Sequence, residues 1–115
     1  MCLIENVAEM LQKLKRRITV KALHEKIENL FVELGFRRVS AGERQRQYLY
    51  YNDLYCKVTY LPDWEAFVIE TADDIKYAEG GALEDSGIYY LKDYADVPEE
   101  IFLEEIRNDI IKYYM

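Results

Sequence analysis

The single histidine of the chain raises the question of metal chemistry. His24 is followed by Glu25, as in the zinc-binding motif His-Glu-x-x-His, in which two imidazoles one helical turn apart hold the metal. Residue 28 is a glutamate instead of the second histidine that the motif requires. We therefore interpret His24 as a residue on the surface of a helix.

Adjacent carboxylates are the next candidates for catalysis or for metal binding. The pairs Asp73-Asp74 and Glu84-Asp85 could supply an acid–base pair or oxygen ligands for a hard cation. Neither pair has the loop spacing of a calcium site. The sequence thus predicts no catalytic residue, no metal ligand and no cofactor, and a protein that is not an enzyme.

Net charge narrows the class of partner. The 115 residues carry a formal net charge of −7, which repels the phosphates of nucleic acid and of anionic membranes. A short arginine patch beside two tyrosines could stack on single-stranded nucleic acid, but it is isolated in an acidic chain. The patch consists of Arg37, Arg38, Arg44 and Arg46 with Tyr48 and Tyr50. We expect a basic macromolecule as partner, and neither nucleic acid nor a membrane.

The charge is unevenly distributed along the chain. Residues 1–50 contain ten basic and six acidic side chains, a net of +4, whereas residues 51–115 contain five and sixteen, a net of −11. Tyrosines are interleaved with the carboxylates, and this combination can pair with Lys and Arg of a partner over a large contact area. The predicted partner-binding residues are Glu70, Asp73, Asp74, Tyr77, Glu84, Asp85, Tyr89, Tyr90 and Asp93. The alternative is a solvated acidic face, with the tyrosines half-buried in packing.

Cysteine usage and apolar runs bear on location. The sequence shows no basic leader with an apolar run and a cleavage site, and no apolar stretch near the roughly 18 residues that cross a bilayer. With Cys2 and Cys56 as the two cysteines, reduced thiols are a simpler expectation than a disulfide. We expect a cytoplasmic protein without a membrane segment.

The spacing of apolar residues predicts two helices at the N-terminus. Apolar residues recur at alternating intervals of three and four over Leu3–Arg17, which places them on one helix face. A second stripe is rotated by nearly half a turn, and Thr19 between the two stripes could cap a new helix that ends at Gly35. The first stripe is Ile4, Val7, Leu11, Leu14 and Ile18, and the second is Val20, Leu23, Ile27, Leu30, Phe31 and Leu34. The pattern leaves open whether residues 1–18 pack on the domain or on another chain.

The middle of the chain predicts a β-meander. From residue 36 to 70 the period changes to two, and Tyr, Val, Thr and Phe predominate. Turn signals at residues 52–53 and 62–63 make consecutive strands antiparallel neighbours. The predicted strands are Phe36–Ser40, Gln47–Tyr51, Leu54–Leu61 and Asp63–Glu70. The core face should contain Leu54, Cys56, Val58 and Tyr60 in the third strand and Phe67 and Ile69 in the fourth.

A short helix, a strand and a closing helix complete the chain. We predict a helix over Thr71–Glu79 capped by Thr71, a loop over Ala82–Ser86, a strand over Gly87–Leu91, and Pro98 as the first residue of the last helix. The apolar face of that helix is Phe102, Leu103, Ile106, Ile110, Tyr113 and Tyr114. Residues 1–115 should thus form one α+β domain, an antiparallel meander of four or five strands with N-terminal helices, a short middle helix and a C-terminal helix packed on the sheet.

Besides this order of elements, several short segments of the sequence contribute to an overall pattern. They are the tyrosine-rich segment 55–60, Leu83-Glu84-Asp85 followed by Tyr89-Tyr90, and Pro98-Glu99-Glu100 opening a helix that contains Ile106-Arg107-Asn108-Asp109. In this general pattern, over about residues 20–115, the chain resembles small bacterial immunity proteins, the cytoplasmic antidotes to polymorphic or contact-dependent toxins. The resemblance implies that the chain, as a monomer or a homodimer, binds and neutralises one cognate toxin domain with a basic surface, such as a nuclease.

Two other classes fit the same sequence. The element order on an acidic chain is also similar to homodimeric secretion chaperones, which wrap an unfolded effector segment with an exposed apolar face. Spaced carboxylates are also typical of inhibitors that mimic nucleic acid. A stable homodimer with apolar patches on the sheet face would favour the chaperone, whereas a monomer that binds a folded basic domain would favour the antidote.

Overall fold

The computed structural model describes the backbone of residues 2–115 and the side chains of Val7, Leu11 and residues 19–115. Its helices are α1 (Cys2–Glu33), α2 (Ile75–Glu79) and α3 (Glu99–Tyr113), and its strands are β1 (Arg37–Ala41), β2 (Arg46–Tyr51), β3 (Leu54–Leu61), β4 (Ala66–Ala72) and β5 (Glu84–Tyr90). Short 3-10 turns cover Pro62–Trp64 and Leu91–Tyr94. One antiparallel sheet with helices before, within and after it confirms the α+β class.

The five strands form one sheet in the order β1-β2-β3-β4-β5, so each strand pairs antiparallel with its neighbour in sequence. The turn before β3 explains why the bounds of that strand match the prediction. Asn52 and Asp53 both have positive φ, 45° and 67°, which gives the hairpin the same twist as its strands. The meander topology is confirmed.

α1 is one continuous helix, so the prediction of two helices is wrong. No glycine or proline lies between residues 2 and 33. Thr19 inside a helix costs only about 0.7 kcal/mol or less relative to alanine, which does not break the helix. The half-turn offset between the two apolar stripes therefore places them on opposite faces of one helix.

The end of α1 at Gly35 is confirmed. Gly35 has a φ of 111°, its amide donates to the carbonyl of Val32 at 3.1 Å, and the amide of Phe36 donates to the carbonyl of Phe31 at 2.9 Å. These two bonds are those of a Schellman motif, in which a left-handed residue ends the helix. The chain then turns directly into β1.

The inner face of the sheet packs against α1 and α3. Cys56, Phe67 and Ile69 are fully buried on it, which confirms the predicted core face of β3 and β4. The helices contribute Leu23, Ile27 and Phe31 from α1 and Phe102, Ile106 and Ile110 from α3. Burial raises the pKa of the Cys56 thiol to about 12, so the thiol stays protonated at neutral pH.

α3 begins one residue later than predicted, because Pro98 is its N-cap. Tyr114 is buried and continues a stripe with a spacing of four residues, whereas Tyr113 is exposed, so its predicted burial is wrong. Neighbouring residues of a helix point about 100° apart, and only one of the two tyrosines can follow the stripe. None of the helices in the described part of the chain is long and apolar enough to span a membrane.

β4 starts at Ala66 rather than at the predicted Asp63. Pro62 has no amide hydrogen to pair and instead begins a 3-10 turn. Glu65 ends that turn in a left-handed conformation with a φ of 47°, and its amide donates to the carbonyl of Pro62 at 3.2 Å. The turn therefore takes the residues that alternation assigned to the strand.

The boundaries after β4 also differ from the prediction. Thr71 does not cap α2, because it still pairs with Glu84 in the ladder between β4 and β5. The helix starts only after Asp74, whose carboxylate is the cap. Since β5 begins at Glu84, the predicted loop over Ala82–Ser86 is wrong in its second half.

Candidate functional site

Three strand ends and α2 meet at one end of the sheet. In an antiparallel meander the start of β3, the end of β4 and the start of β5 lie together, and α2 follows directly on β4. These elements surround a cleft of about 440 Å³, which we call the acidic cleft. It is lined by Leu54, Thr71, Ala72, Asp73, Tyr77, Ala82 and Glu84. Three predicted partner-binding residues, Asp73, Tyr77 and Glu84, therefore lie at one site.

α2 presents Tyr77 to the cleft. The next residue, Ala78, is buried in a small cluster with Tyr48 and Ala72 on the outer face of the sheet, the face away from α1 and α3. Asp74 caps the helix by accepting a hydrogen bond from the amide of Lys76 at 2.8 Å. The side chain of Tyr77 is 58% exposed. A tyrosine on a docked helix loses little freedom on contact with a partner, because its ring turns about only two bonds.

The two carboxylates of the cleft come from different elements. Asp73 lies in the turn between β4 and α2, and Glu84 is the first residue of β5, where backbone pairing with Thr71 fixes its position. Both are exposed, and among the described side chains neither forms a salt bridge. The carboxylate of Asp74, by contrast, is already used in the helix cap. The cleft therefore offers two carboxylates to a cation.

Glu70 and Asp85 lie opposite each other on β4 and β5, away from the lining of the cleft. Glu70 is half-buried, accepts a hydrogen bond from the hydroxyl of Thr59 and stands opposite Lys57 on β3. Thr59 and Lys57 thus offset the repulsion between the carboxylates of Glu70 and Asp85. Glu70 thus belongs to the hydrogen bonding of the sheet itself, and Asp85 is the exposed member of the pair.

The structure corrects the assignment of Tyr89 to the surface. Its side chain is 7% exposed, and its hydroxyl donates to Oδ2 of Asp109 on α3 at 2.8 Å. Burial and then the hydrogen bond with Asp109 raise the pKa of this phenol. In a strand, one of two neighbouring residues points inward, and two adjacent tyrosines do not reveal which one. Tyr89 is therefore a core residue.

Tyr90 and Asp93 lie at the opposite end of the sheet from the acidic cleft, since Tyr90 pairs with the first residue of β4. The ring of Tyr90 stacks on Trp64, with centroids 6.5 Å apart, and Nζ of Lys92 lies 5.6 Å from the same ring. Trp64 is 61% exposed, and it is not among the predicted partner-binding residues. Two features of the sequence could have indicated a binding role for it: it is the one tryptophan, a residue enriched at binding hot spots, and it follows a Pro-Asp turn.

His24 has a structural role, so its interpretation as a surface residue is wrong. It is half-buried, its Nε2 lies 2.8 Å from the carbonyl oxygen of Val58, and its ring stacks near Phe67 with centroids 6.1 Å apart. The imidazole thus connects α1 to the sheet. In the part of the chain that the structure describes, no group of three or more His, Cys, Asp or Glu could hold a metal ion.

The arginine patch is divided between the two faces of the sheet. Arg38 donates to Oδ1 of Asn29 on α1 at 3.1 Å and lies 3.6 Å from a carboxylate oxygen of Glu28. Arg37 lies over the ring of Tyr50, 5.6 Å from its centroid, on the other face. Strand alternation therefore separates these two guanidinium groups.

Protein-family models, curated proteins and solved structures were compared with this chain, and none of them matches it.

Proposed function

We propose that this chain is an inhibitor of the immunity type, which binds one cognate toxin domain with a basic surface and neutralises it by covering that surface. The observation that carries the proposal is the acidic cleft, where Asp73, Tyr77 and Glu84 surround an apolar floor. A cleft of this composition suits the side chain of an arginine or a lysine that projects from a folded partner.

An arginine in the acidic cleft would make three kinds of contact. Its guanidinium group can form paired hydrogen bonds with the carboxylates of Asp73 and Glu84. The ring of Tyr77 offers a face on which the same group can stack. Leu54 and Ala72 provide apolar surface for the aliphatic stem. The cleft therefore selects for a long basic side chain rather than for charge alone.

The charge of the acidic half supports rapid capture of such a partner. Residues 51–115 carry a net charge of −11, and complementary fields raise association rates up to roughly 10⁸–10⁹ M⁻¹s⁻¹ at low salt. An antidote must bind before its toxin acts, so a fast encounter suits this role. The N-terminal half, with +4, adds no such attraction for a basic surface.

We infer that the protein acts in the cytoplasm. Cys56 is a free thiol in the core of the described structure. A buried cysteine without a disulfide partner is typical of proteins in a reducing compartment. The immunity role also requires that the antidote and its toxin meet inside the cell that is protected.

Capture from the cells that produce this chain tests the proposal. The baits are the wild type, a cleft variant, Asp73→Lys/Glu84→Lys, and a control, Glu100→Lys/Glu104→Lys, which changes the charge equally at exposed positions of α3. We expect one basic protein on the wild type and the control and none on the cleft variant. Expression of that protein alone should stop growth, and co-expression with the wild type should restore it.

Two results would contradict the proposal. The first is a partner that stays bound to the cleft variant as well as to the wild type. The second is a captured protein that does not harm the cells when it is expressed alone.

A second candidate function, that of an acidic secretion chaperone, is favoured by the apolar side chains exposed on the outer face. Trp64 and Ile88 are the exposed members. A chaperone would use them to hold an unfolded segment of its client. In the same capture experiment, Trp64→Ala would then release the partner, whereas Asp73→Lys/Glu84→Lys would retain it.

A further inference from the structure

The first half of α1 extends beyond the packed part of the domain. The helix has 32 residues, which at about 1.5 Å per residue gives a length of about 48 Å. Among its described side chains, Val20 is the first that packs against the core. Val7 and Leu11 lie one turn apart, and each is 54% exposed. This part of the helix therefore leaves apolar side chains in water.

The exposed stripe points away from the sheet of its own chain. Leu11 and the fully buried Ile27 are sixteen residues apart, which corresponds to a rotation of about 160° around the helix. Because α1 is unbroken, the two stripes cannot face the same side. Val7 and Leu11 can be covered only by something other than the domain to which they are attached.

The spacing of the first stripe indicates what covers it. In the sequence, apolar residues stand at Ile4, Val7, Leu11, Leu14 and Ile18, the alternating three and four of a coiled-coil seam. Such a seam is self-complementary, since the side chains of one helix fill the spaces between those of an identical helix. The stripe ends at Ile18, where the domain begins.

The charges of this segment favour an antiparallel pair. Glu5 and Glu9 are in its first half, and the basic residues Lys13, Lys15, Arg16 and Arg17 are in its second. A parallel pair would place the two basic groups side by side, whereas an antiparallel pair places each of them beside the acidic half of the other copy. The segment is thus complementary to itself in charge as well as in shape.

We propose that residues 3–15 of α1 pair antiparallel with the same residues of a second copy of this chain, so that Val7 of one copy meets Leu11 of the other. Val20 of α1 lines a groove with Tyr60 and Leu91, at the end of the sheet opposite the acidic cleft. The helix extends away from that end. Dimerisation therefore leaves both acidic clefts open and does not depend on the proposed function.

Sedimentation of the full chain tests the pairing. From low to high micromolar concentration, the mass of the wild type should rise from 13.7 kDa towards twice that value. Val7→Glu/Leu11→Glu should remain at 13.7 kDa. At low micromolar concentration, where both forms are monomers, its thermal unfolding should equal that of the wild type because both positions are exposed. Val32→Glu, at a position 41% exposed on the same helix but beyond the stripe, is the matched control and should dimerise like the wild type.

A wild type that stays monomeric at high micromolar concentration would overturn the proposal. The exposed stripe would then be a contact surface for a different protein. A dimer that survives Val7→Glu/Leu11→Glu would also overturn it. If that variant loses helical circular dichroism, Val7→Ala/Leu11→Ala replaces it, because alanine keeps the helix and removes most of the apolar contact. This milder variant should shift the dimer equilibrium towards monomer, and an unshifted equilibrium would contradict the pairing.

Disulfide formation tests the orientation. On a Cys2→Ser background, a mixture of Val7→Cys and Leu11→Cys chains should form a mixed disulfide on oxidation, and either variant alone should not, because an antiparallel seam brings position 7 to position 11. A disulfide that forms between two Val7→Cys chains would show a parallel pair and contradict the proposal.

Discussion

Neighbouring residues of the same type have different roles in this chain. Asp74 caps a helix, while Asp73 lines the acidic cleft. Tyr89 fills the core, while Tyr90 lies on the outer face against Trp64. The sequence could predict that acidic and aromatic residues gather in this region, but the direction of each side chain depends on where the strand and the helix begin. Those boundaries were displaced by up to four residues.

Substitution of the two adjacent aspartates separates folding from binding. Asp74→Ala removes the helix cap and should lower the free energy of unfolding by about 1 kcal/mol. Asp73→Ala removes no cap and should leave the free energy of unfolding nearly unchanged, while it weakens binding to the captured partner. Urea unfolding and a binding titration of both variants measure this. Equal effects of the two substitutions on stability would contradict the assignment.

The stability of the fold should fall at alkaline pH. Burial raises the pKa of Cys56 from 9.0 to about 12, and desolvation together with the hydrogen bond to Glu105 raises the pKa of Tyr94 from 10.0 to about 12. Folding favours the protonated form of both groups, so their stabilisation is complete below pH 9 and is lost as the pH rises from 9 to about 12.

Urea midpoints over this pH range check the alkaline loss, and Cys56→Ala separates the contribution of the thiol from that of the tyrosines whose pKa is also raised. The variant should be less stable overall because of the cavity it leaves. Its decline should nevertheless begin near pH 10 rather than near pH 9, since the tyrosines, whose ordinary pKa is 10.0, are then the first of these groups to ionise in the unfolded chain. A wild type whose midpoint stays constant from pH 8 to 11 would contradict the burial of these groups.

At the scale of elements, turns with a strong local signal were predictable and helix continuity was not. β3 has its predicted bounds because a two-residue turn at positions 52–53 and a proline at 62 enclose an alternating run. α1 has no such breaker, and the rotation of its apolar stripe imitates a boundary. A rotation of the apolar stripe along a sequence can mean that one helix packs against two different surfaces, and it does not by itself show that a new helix begins.

The C-terminal end of α1 provides a test at this scale. Gly35→Ala should lower the free energy of unfolding by about 1 kcal/mol or more, because alanine is strained at a φ of 111°. Crowding does not explain such a loss, since the nearest atom to an added Cβ is 3.9 Å away on Tyr51. Gly35→Asn should lose less, as asparagine tolerates left-handed conformations better. Equal losses in urea unfolding would show that backbone strain is not the cause.

At the scale of the whole molecule, the acidic cleft depends on topology. Leu54, Asp73, Tyr77 and Glu84 come from β3, a turn, α2 and β5, and they meet only because the meander brings those ends together. Composition could predict the acidic and tyrosine-bearing character of the site. It could not predict which residues share the cleft, because that grouping requires the strand order and the point at which each strand ends.

The affinity of the captured partner for three forms of the chain decides whether the acidic cleft binds that partner. Titration calorimetry compares the wild type, Asp73→Lys/Glu84→Lys and the equally charged control Glu100→Lys/Glu104→Lys. We predict that the cleft variant binds at least about 30-fold more weakly, while the control stays within a few-fold of the wild type. Equal weakening of the two variants would show that net charge attracts the partner and that the acidic cleft does not bind it.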